Sequence, residues 1–299
     1  MKVLVIGAVD FSLHCLETLG KAGADIVGVV TTSDPSRYSD YADLESLSDY
    51  HGWCFKRVTD INSKETLHWI QQRRPDVVFC VGWSQLIKRP LLDLAPKGVI
   101  GAHPSLLPYN RGRHPLIWAL ALGLKKTGLT FFQMDEGADS GDILAQVEIL
   151  IDAKDDAQSL YDKVTSFASP LLTDLYHQLE SDQVQAKPQA VQEGNHWRKR
   201  SKKDGQIDWR MSTQAIDHLV RALHHPYPGA TTSYGGTELI VWQVESVDWP
   251  YIESEVAYHE PGKIVALQNG QPIVKAYDGM LKLKQAEPAL DFTPETYMD

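Results

Sequence analysis

Lys2-Val3-Leu4-Val5-Ile6-Gly7 opens the stretch whose reading decides the fold. An apolar run rich in Val, Leu and Ile, halted by a glycine, reads as a buried strand. Apolar residues then recur at helical spacing over residues 11–21, and residues 26–31 are again an apolar run. A strand, a helix and a second strand in this order predict a parallel pair with a right-handed crossover. The alternation continues with a helix near 64–72, strands at 76–81 and 98–102, a helix at 115–123, a strand at 127–134 and a long amphipathic helix at 158–181. The expectation is an α/β domain with a Rossmann-like parallel sheet over residues 1–203. Between 183 and 205 the pattern dissolves into polar residues with Pro188, Gly194 and the cluster Arg198, Lys199, Arg200, Lys202 and Lys203, a linker-like composition. Beyond it, a helix at 212–223 precedes short β-rich segments at 230–234, 238–244, 262–267, 272–276 and 281–285. Gly235-Gly236, Asn269-Gly270 and Asp278-Gly279 mark the turns between them. Residues 204–299 therefore read as a small β-rich, OB-like domain.

The 299 residues carry 29 Lys and Arg against 39 Asp and Glu, a formal charge of −10. That balance opposes long-range attraction to a polyphosphate, so nucleic acid is not expected as a partner. Apolar runs such as 77–81 and 116–122 fall far short of the roughly 20 residues that cross a bilayer. The run after Met1 and Lys2 stops at Gly7, too short for a secretory signal, so the expectation is a cytoplasmic protein without membrane contact. Cys15, Cys54 and Cys80 are widely spaced and odd in number, which predicts neither a disulfide framework nor a cysteine metal site. Gly7-Ala8-Val9-Asp10-Phe11-Ser12 lacks the second and third glycines of a dinucleotide fingerprint.

Chemistry concentrates in two stretches. The first is Gly101-Ala102-His103-Pro104-Ser105-Leu106-Leu107-Pro108-Tyr109-Asn110-Arg111-Gly112-Arg113, just past a predicted strand end, where open α/β sheets place their ligands. The proline holds His103 in extended backbone, as suits a fixed base; the alternative is that His103 and Arg111 only brace the loop. The second is Met134-Asp135-Glu136-Gly137-Ala138-Asp139-Ser140-Gly141-Asp142, with four carboxylates and two glycines after another predicted strand. It reads either as a solvated acidic loop or as the source of a carboxylate that orients the histidine.

These residues resemble the folate-dependent formyltransferases, which include methionyl-tRNA formyltransferase, glycinamide ribonucleotide transformylase and the bacterial sugar N-formyltransferases. The pattern Asn-x-His-Pro-Ser-Leu-Leu-Pro followed by Arg-Gly, and the later Asp-x-Gly-x-Asp-x-Gly loop, are matched except that Gly101 stands at the asparagine. Lys203-Asp204-Gly205-Gln206-Ile207-Asp208-Trp209 and Arg221-Ala222-Leu223-His224-His225-Pro226-Tyr227-Pro228-Gly229-Ala230 resemble motifs of the family's C-terminal domain. The resemblance implies His103 as general base, Asp139 as its partner and N10-formyltetrahydrofolate as donor, with no metal. It implies a donor slot edged by Trp83, Leu86 and Ile87 and by Asp135, Glu136, Gly137 and Ala138. The side-chain amide that contacts the formyl oxygen is missing at Gly101. The space it leaves is expected to admit a water, or its role to pass to a main-chain amide.

For the acceptor, the loop 33–45 holds Asp34, Asp40, Asp43 and Glu45 against Arg37, where the tRNA enzyme is basic. Its wording resembles the sugar enzymes, which implies a nucleotide-linked amino sugar as partner. Tyr109, Arg111 and Gly112 are the expected acceptor contacts, with Arg113 as a second cation and Trp197 and Trp209 as further candidates for stacking. Methionyl-tRNA and a catalytically impaired folate or sugar binder are the alternatives. The C-terminal domain is left with either homodimer contacts or completion of the acceptor site.

Overall fold

Val3, Leu4, Val5 and Ile6 are fully buried, which makes β1 (Lys2–Ile6) an interior strand. In the computed structural model, which describes residues 1–190, 193–248 and 258–299, it pairs in parallel with β2 (Asp25–Thr32) on one side. The crossover is α1 (Asp10–Lys21), whose Phe11, Cys15, Leu16 and Leu19 face inward at helical spacing. The chain continues through α2 (Leu44–His51), β3 (Phe55–Val58), α3 (Lys64–Arg73), β4 (Val77–Cys80), α4 (Arg89–Leu92) and β5 (Val99–His103). Asp43 and Ser63 cap α2 and α3, each accepting from backbone amides of the first turn. After β6 (Arg111–Gly112) and α5 (Pro115–Ala121) come β7 (Lys126–Gln133), β8 (Ile143–Leu150), α6 (Ala157–Glu180) and β9 (His196–Trp197).

The large sheet has the order β3-β2-β1-β4-β5-β7-β8. Its first five strands are parallel, as expected, whereas β7 is antiparallel to both β5 and β8. The reversal matters for the site. Ile100 pairs with Gln133 and His103 with Thr130, so β7 ends beside the start of β5, away from the strand end that carries His103. The acidic loop does not begin at the same rim as the histidine loop; it runs back along β5.

The chain divides into two compact units. One comprises Met1–Pro115, Lys126–Leu150 and Tyr161–Arg198; the other comprises Leu116–Lys125, Ile151–Leu160 and Lys199–Asp299. Two earlier segments, Leu116–Lys125 and Ile151–Leu160, thus belong with the C-terminal unit. Contacts within that unit explain why: the Arg200 guanidinium lies 4.7 Å from the Trp118 ring centroid, and Arg221 donates to the Asp155 carbonyl.

In the second unit, α7 (Thr213–Ala222) accompanies an antiparallel sheet of β10 (Ala230–Tyr234), β11 (Thr237–Ser246), β12 (Ile264–Gln268), β13 (Gln271–Lys275) and β14 (Met280–Glu287), in the order β10-β11-β14-β13-β12. Residues 295–299 join its two edges: Asp299 and Ser233 exchange backbone hydrogen bonds on the β10 side, and Ile264 donates to Thr296 on the β12 side. Edges satisfied in this way give the small unit its barrel-like closure. Trp209 is buried there with its indole N–H on Thr232 Oγ1, so it is a core residue and not a stacking platform.

Candidate active site

The strand order reverses between β1 and β4, the position where open α/β sheets form a crevice at their carboxyl ends. The turn after β1 is not an anion cradle. Ser12 Oγ accepts from the Ala8 and Val9 amides at 3.0 and 3.1 Å and donates to the Val81 carbonyl at 2.7 Å, all in the interior. The amides that would hold a dinucleotide pyrophosphate are already used by the protein.

His103, the last residue of β5, is 5 % exposed. Its Nε2 lies 2.8 Å from the Asn110 carbonyl, which can only accept, so Nε2 carries a proton and Nδ1 holds the lone pair of the neutral ring. Nδ1 is 3.7 Å from Asp139 Oδ2, too long for a direct hydrogen bond but close enough that an imidazolium formed there meets a carboxylate. Asp139 is held in turn: its Oδ2 accepts from the Gly112 amide at 2.9 Å. Gly112 has φ +99°, and a Cβ there would sit 2.3 Å from the Trp197 carbonyl, so the close approach of β6 and β9 requires glycine. The structure therefore brings His103, Asp139 and Gly112 together from two loops.

Gly101 lies two residues before His103 on the same face of β5. Its space is filled. Phe132, its cross-strand partner on β7, would lie 2.9 Å from a Cβ at Gly101, and Met134 Cγ would lie 3.0 Å away. The expected water-sized gap is occupied by an aromatic ring that packs with Leu107, Ile143 and Met134.

The remaining residues divide by exposure. Residues 82–88 form an ordered loop and not a helix start. Gln85 ties it to the Ile61 amide and the Thr59 carbonyl, and Asn62 to the Leu86 carbonyl and the Lys88 amide. Leu86 is exposed, Trp83 is half-buried, and Trp83 Nε1 is buried with no acceptor among the described residues. The Ile87 side chain, by contrast, is sealed in the core, so only its main chain is left to edge a slot. Asp135, Glu136, Gly137 and Ala138 are exposed, with Asp135 Oδ1 closing the turn by accepting from the Gly137 amide and Ser140 Oγ. Tyr109 is exposed. Arg111 is not an available cation: it is buried, with Nε and Nη2 on Gln189 Oε1 and Nη1 on the Glu193 carbonyl. Arg113 is the exposed guanidinium of this loop and donates to the Ser84 carbonyl.

The loop 33–45 is less uniformly acidic than its composition. Hydrogen bonds from Ser36 and Arg37 hold the Asp34 carboxyl below its ordinary range, and the Ser46 hydroxyl does the same for Asp43. Burial raises Asp40, which accepts from the Tyr161 hydroxyl, and Glu45 pairs with Arg57. Tyr38 projects from this loop to Ser84, accepting from its amide at 3.1 Å. Residues 189 and 193–197, read from the sequence as part of a linker, instead lie along the histidine loop. Gln189, Asn195 and Trp197 contact it; Trp197 is a sequence candidate for stacking, whereas Gln189 and Asn195 carry no signal beyond polar composition.

Residues 1–175 match the family model for formyl transferase, and residues 199–291 match that for the formyl transferase C-terminal domain. The chain belongs to the formyl transferase family. Among solved structures, WlaRD, a sugar 3N-formyl transferase crystallised with dTDP and 5-N-formyl-THF, aligns at TM-score 0.69 with 14 % identity over 97 % of this chain and 99 % of its own. The N-formyltransferase of Helicobacter canadensis, in complex with folinic acid and dTDP-3-aminofucose, gives 0.69 and 15 % over 96 % and 99 %. HypX from Aquifex aeolicus, in complex with tetrahydrofolic acid, gives 0.68 and 18 % over 96 % of this chain, which spans only 44 % of HypX. At these identities the three likenesses show the fold. Among the described residues no helix is long and apolar enough to cross a membrane.

Proposed function

We propose that the protein transfers the formyl group of N10-formyltetrahydrofolate to the primary amine of a nucleotide-linked amino sugar. The observation that carries this reading is the His103, Asp139 and Gly112 arrangement within a family of formyl transferases. The folate supplies an activated formyl carbon, and residues of this chain supply the rest. His103 Nδ1 takes a proton from the amine as its nitrogen bonds the formyl carbon, and the same proton goes to N10 as the C–N10 bond breaks and tetrahydrofolate leaves, while Nε2 stays on the Asn110 carbonyl and fixes the ring. Asp139 stabilises the imidazolium, its own position set by the Gly112 amide. Trp83, Leu86 and the exposed Asp135 loop are suited to edge the donor slot. Position 101 provides no side-chain donor to the formyl oxygen. That role belongs to another group of the site.

A small acceptor is favoured by the charge of −10 and by the acidic loop 33–45, and Arg113 is the cation placed to meet a pyrophosphate. Both dTDP-bound neighbours point the same way. A second reading, binding without turnover, draws on the ring that fills the place of the family amide. The test is an acceptor panel. Purified protein with donor is offered nucleotide-linked 3-amino and 4-amino sugars and initiator methionyl-tRNA, and products are detected by mass. At least one amino sugar is expected to be formylated faster than the tRNA; faster turnover of tRNA than of every sugar overturns the acceptor assignment.

A further inference from the structure

We propose that Gln189 is a positioning residue that holds Asp139 in place; the proposal rests on the reading of His103 and Asp139 given above. A primary amide has two acceptor lone pairs and two N–H donors, and Gln189 uses all four. Oε1 accepts from Arg111 Nε at 3.1 Å and Nη2 at 2.7 Å; Nε2 donates to the Asp139 carbonyl at 3.0 Å and to the Gly141 carbonyl at 2.6 Å. Gln189 is 8 % exposed and Arg111 4 %. A carboxylate at this position would neutralise the buried guanidinium. Glutamate, however, has no N–H to give the two carbonyls and would add a charge beside Asp139. The amide satisfies Arg111 while fixing the loop.

The loop needs fixing. Asp139 has φ +55°, a left-handed conformation uncommon for residues other than glycine, which persists where the surroundings determine it. Gln189 bonds the carbonyl of that residue. It is delivered there by Lys187, which exchanges backbone hydrogen bonds with Ile143 at the start of β8. The same segment reaches the histidine side. Asn195 Oδ1 accepts from the Asn110 amide and the Asn195 carbonyl accepts from the Arg111 amide, while the Asn110 carbonyl anchors His103 Nε2. Lys187 and Gln189 thus bear on the position of Asp139, and Asn195 on that of His103.

The test uses Gln189→Glu, which keeps a partner for Arg111 and loses the donations, together with the apolar Gln189→Leu. Donor affinity is expected to stay within about twofold while kcat falls by about 10- to 100-fold, the scale of a misplaced catalytic group. In an Asp139→Ala background the same substitution should leave the residual rate nearly unchanged, because the two act as one unit. Hydrogen exchange at the Gly112 amide, which bonds Asp139 Oδ2, should quicken in both variants without any substrate. Should Gln189→Leu fail to fold, Gln189→Glu alone carries the test. Full kcat with unchanged Gly112 protection in Gln189→Glu, or an undiminished loss in the Asp139→Ala background, overturns the proposal. If the wild-type protein formylates no acceptor, the functional reading fails by itself and Gly112 exchange decides the role of Gln189.

Discussion

Replacing His103 with alanine is expected to lower kcat by about 10²- to 10⁴-fold, the range for removing a positioned general base. The ring is held on one nitrogen by the Asn110 carbonyl and faces Asp139 with the other, so alanine removes the base while leaving the carboxylate without its partner. Asp139→Ala is expected to cost on the order of 10²-fold or more, since it removes the charge opposite the imidazolium and frees the Gly112 amide. Both losses should appear in kcat with donor affinity almost unchanged, because neither residue belongs to the donor slot. The double variant should be little slower than the poorer single variant, as is found when two groups serve one step. Steady-state kinetics with direct titration of donor binding checks all three. Full activity in either single variant would remove that residue from the mechanism.

The second large effect concerns Gly101 and Phe132. Asparagine at position 101 puts its Cβ against the Phe132 ring and Met134, so Gly101→Asn alone should destabilise the fold by about 1–3 kcal/mol, the usual cost of overpacking, and displace the end of β5 that carries His103. Turnover should fall. Phe132→Leu shortens the side chain facing this space, and Gly101→Asn made in that background should regain both melting temperature and activity. Because another group of the site serves the formyl oxygen, the double variant should turn over no faster than Phe132→Leu itself. A gain of about 10²- to 10³-fold would mean that the site otherwise lacks such a donor. An unchanged melting temperature for Gly101→Asn alone would contradict the packing account.

What was legible in the sequence was whatever hydrophobic periodicity and local motifs encode. β1, α1, β2, β4 and β5 follow from buried apolar runs and their spacing, and the five C-terminal strands lie between the turn signals that predicted them. β3 and β8 were not expected. The four residues of β3 include Lys56 and Arg57, and β8 buries few of its residues, as edge strands with one solvated side do. The antiparallel turn at β7 was also unreadable, because a strand's direction is set by its partner and not by its own composition. At the site, His103 and Asp139 were named from their motifs. The burial of Arg111 and Ile87 was not, since an arginine in a polar loop and an isoleucine at a loop end give the same signal inside or outside. Gln189 lies in a stretch with no periodicity at all, and its importance comes from four hydrogen bonds to residues 48 to 78 positions away.

Following the formyl carbon itself shows whether it passes from folate to a sugar amine. Donor labelled isotopically in the formyl group is mixed with the protein and the preferred nucleotide-linked amino sugar, and the label is traced by NMR. The account predicts label in the amide of the sugar, in an amount equal to the tetrahydrofolate released, and none of this with His103→Ala on the same timescale. Label recovered as free formate, or retained on the folate with every amino sugar offered, would contradict it.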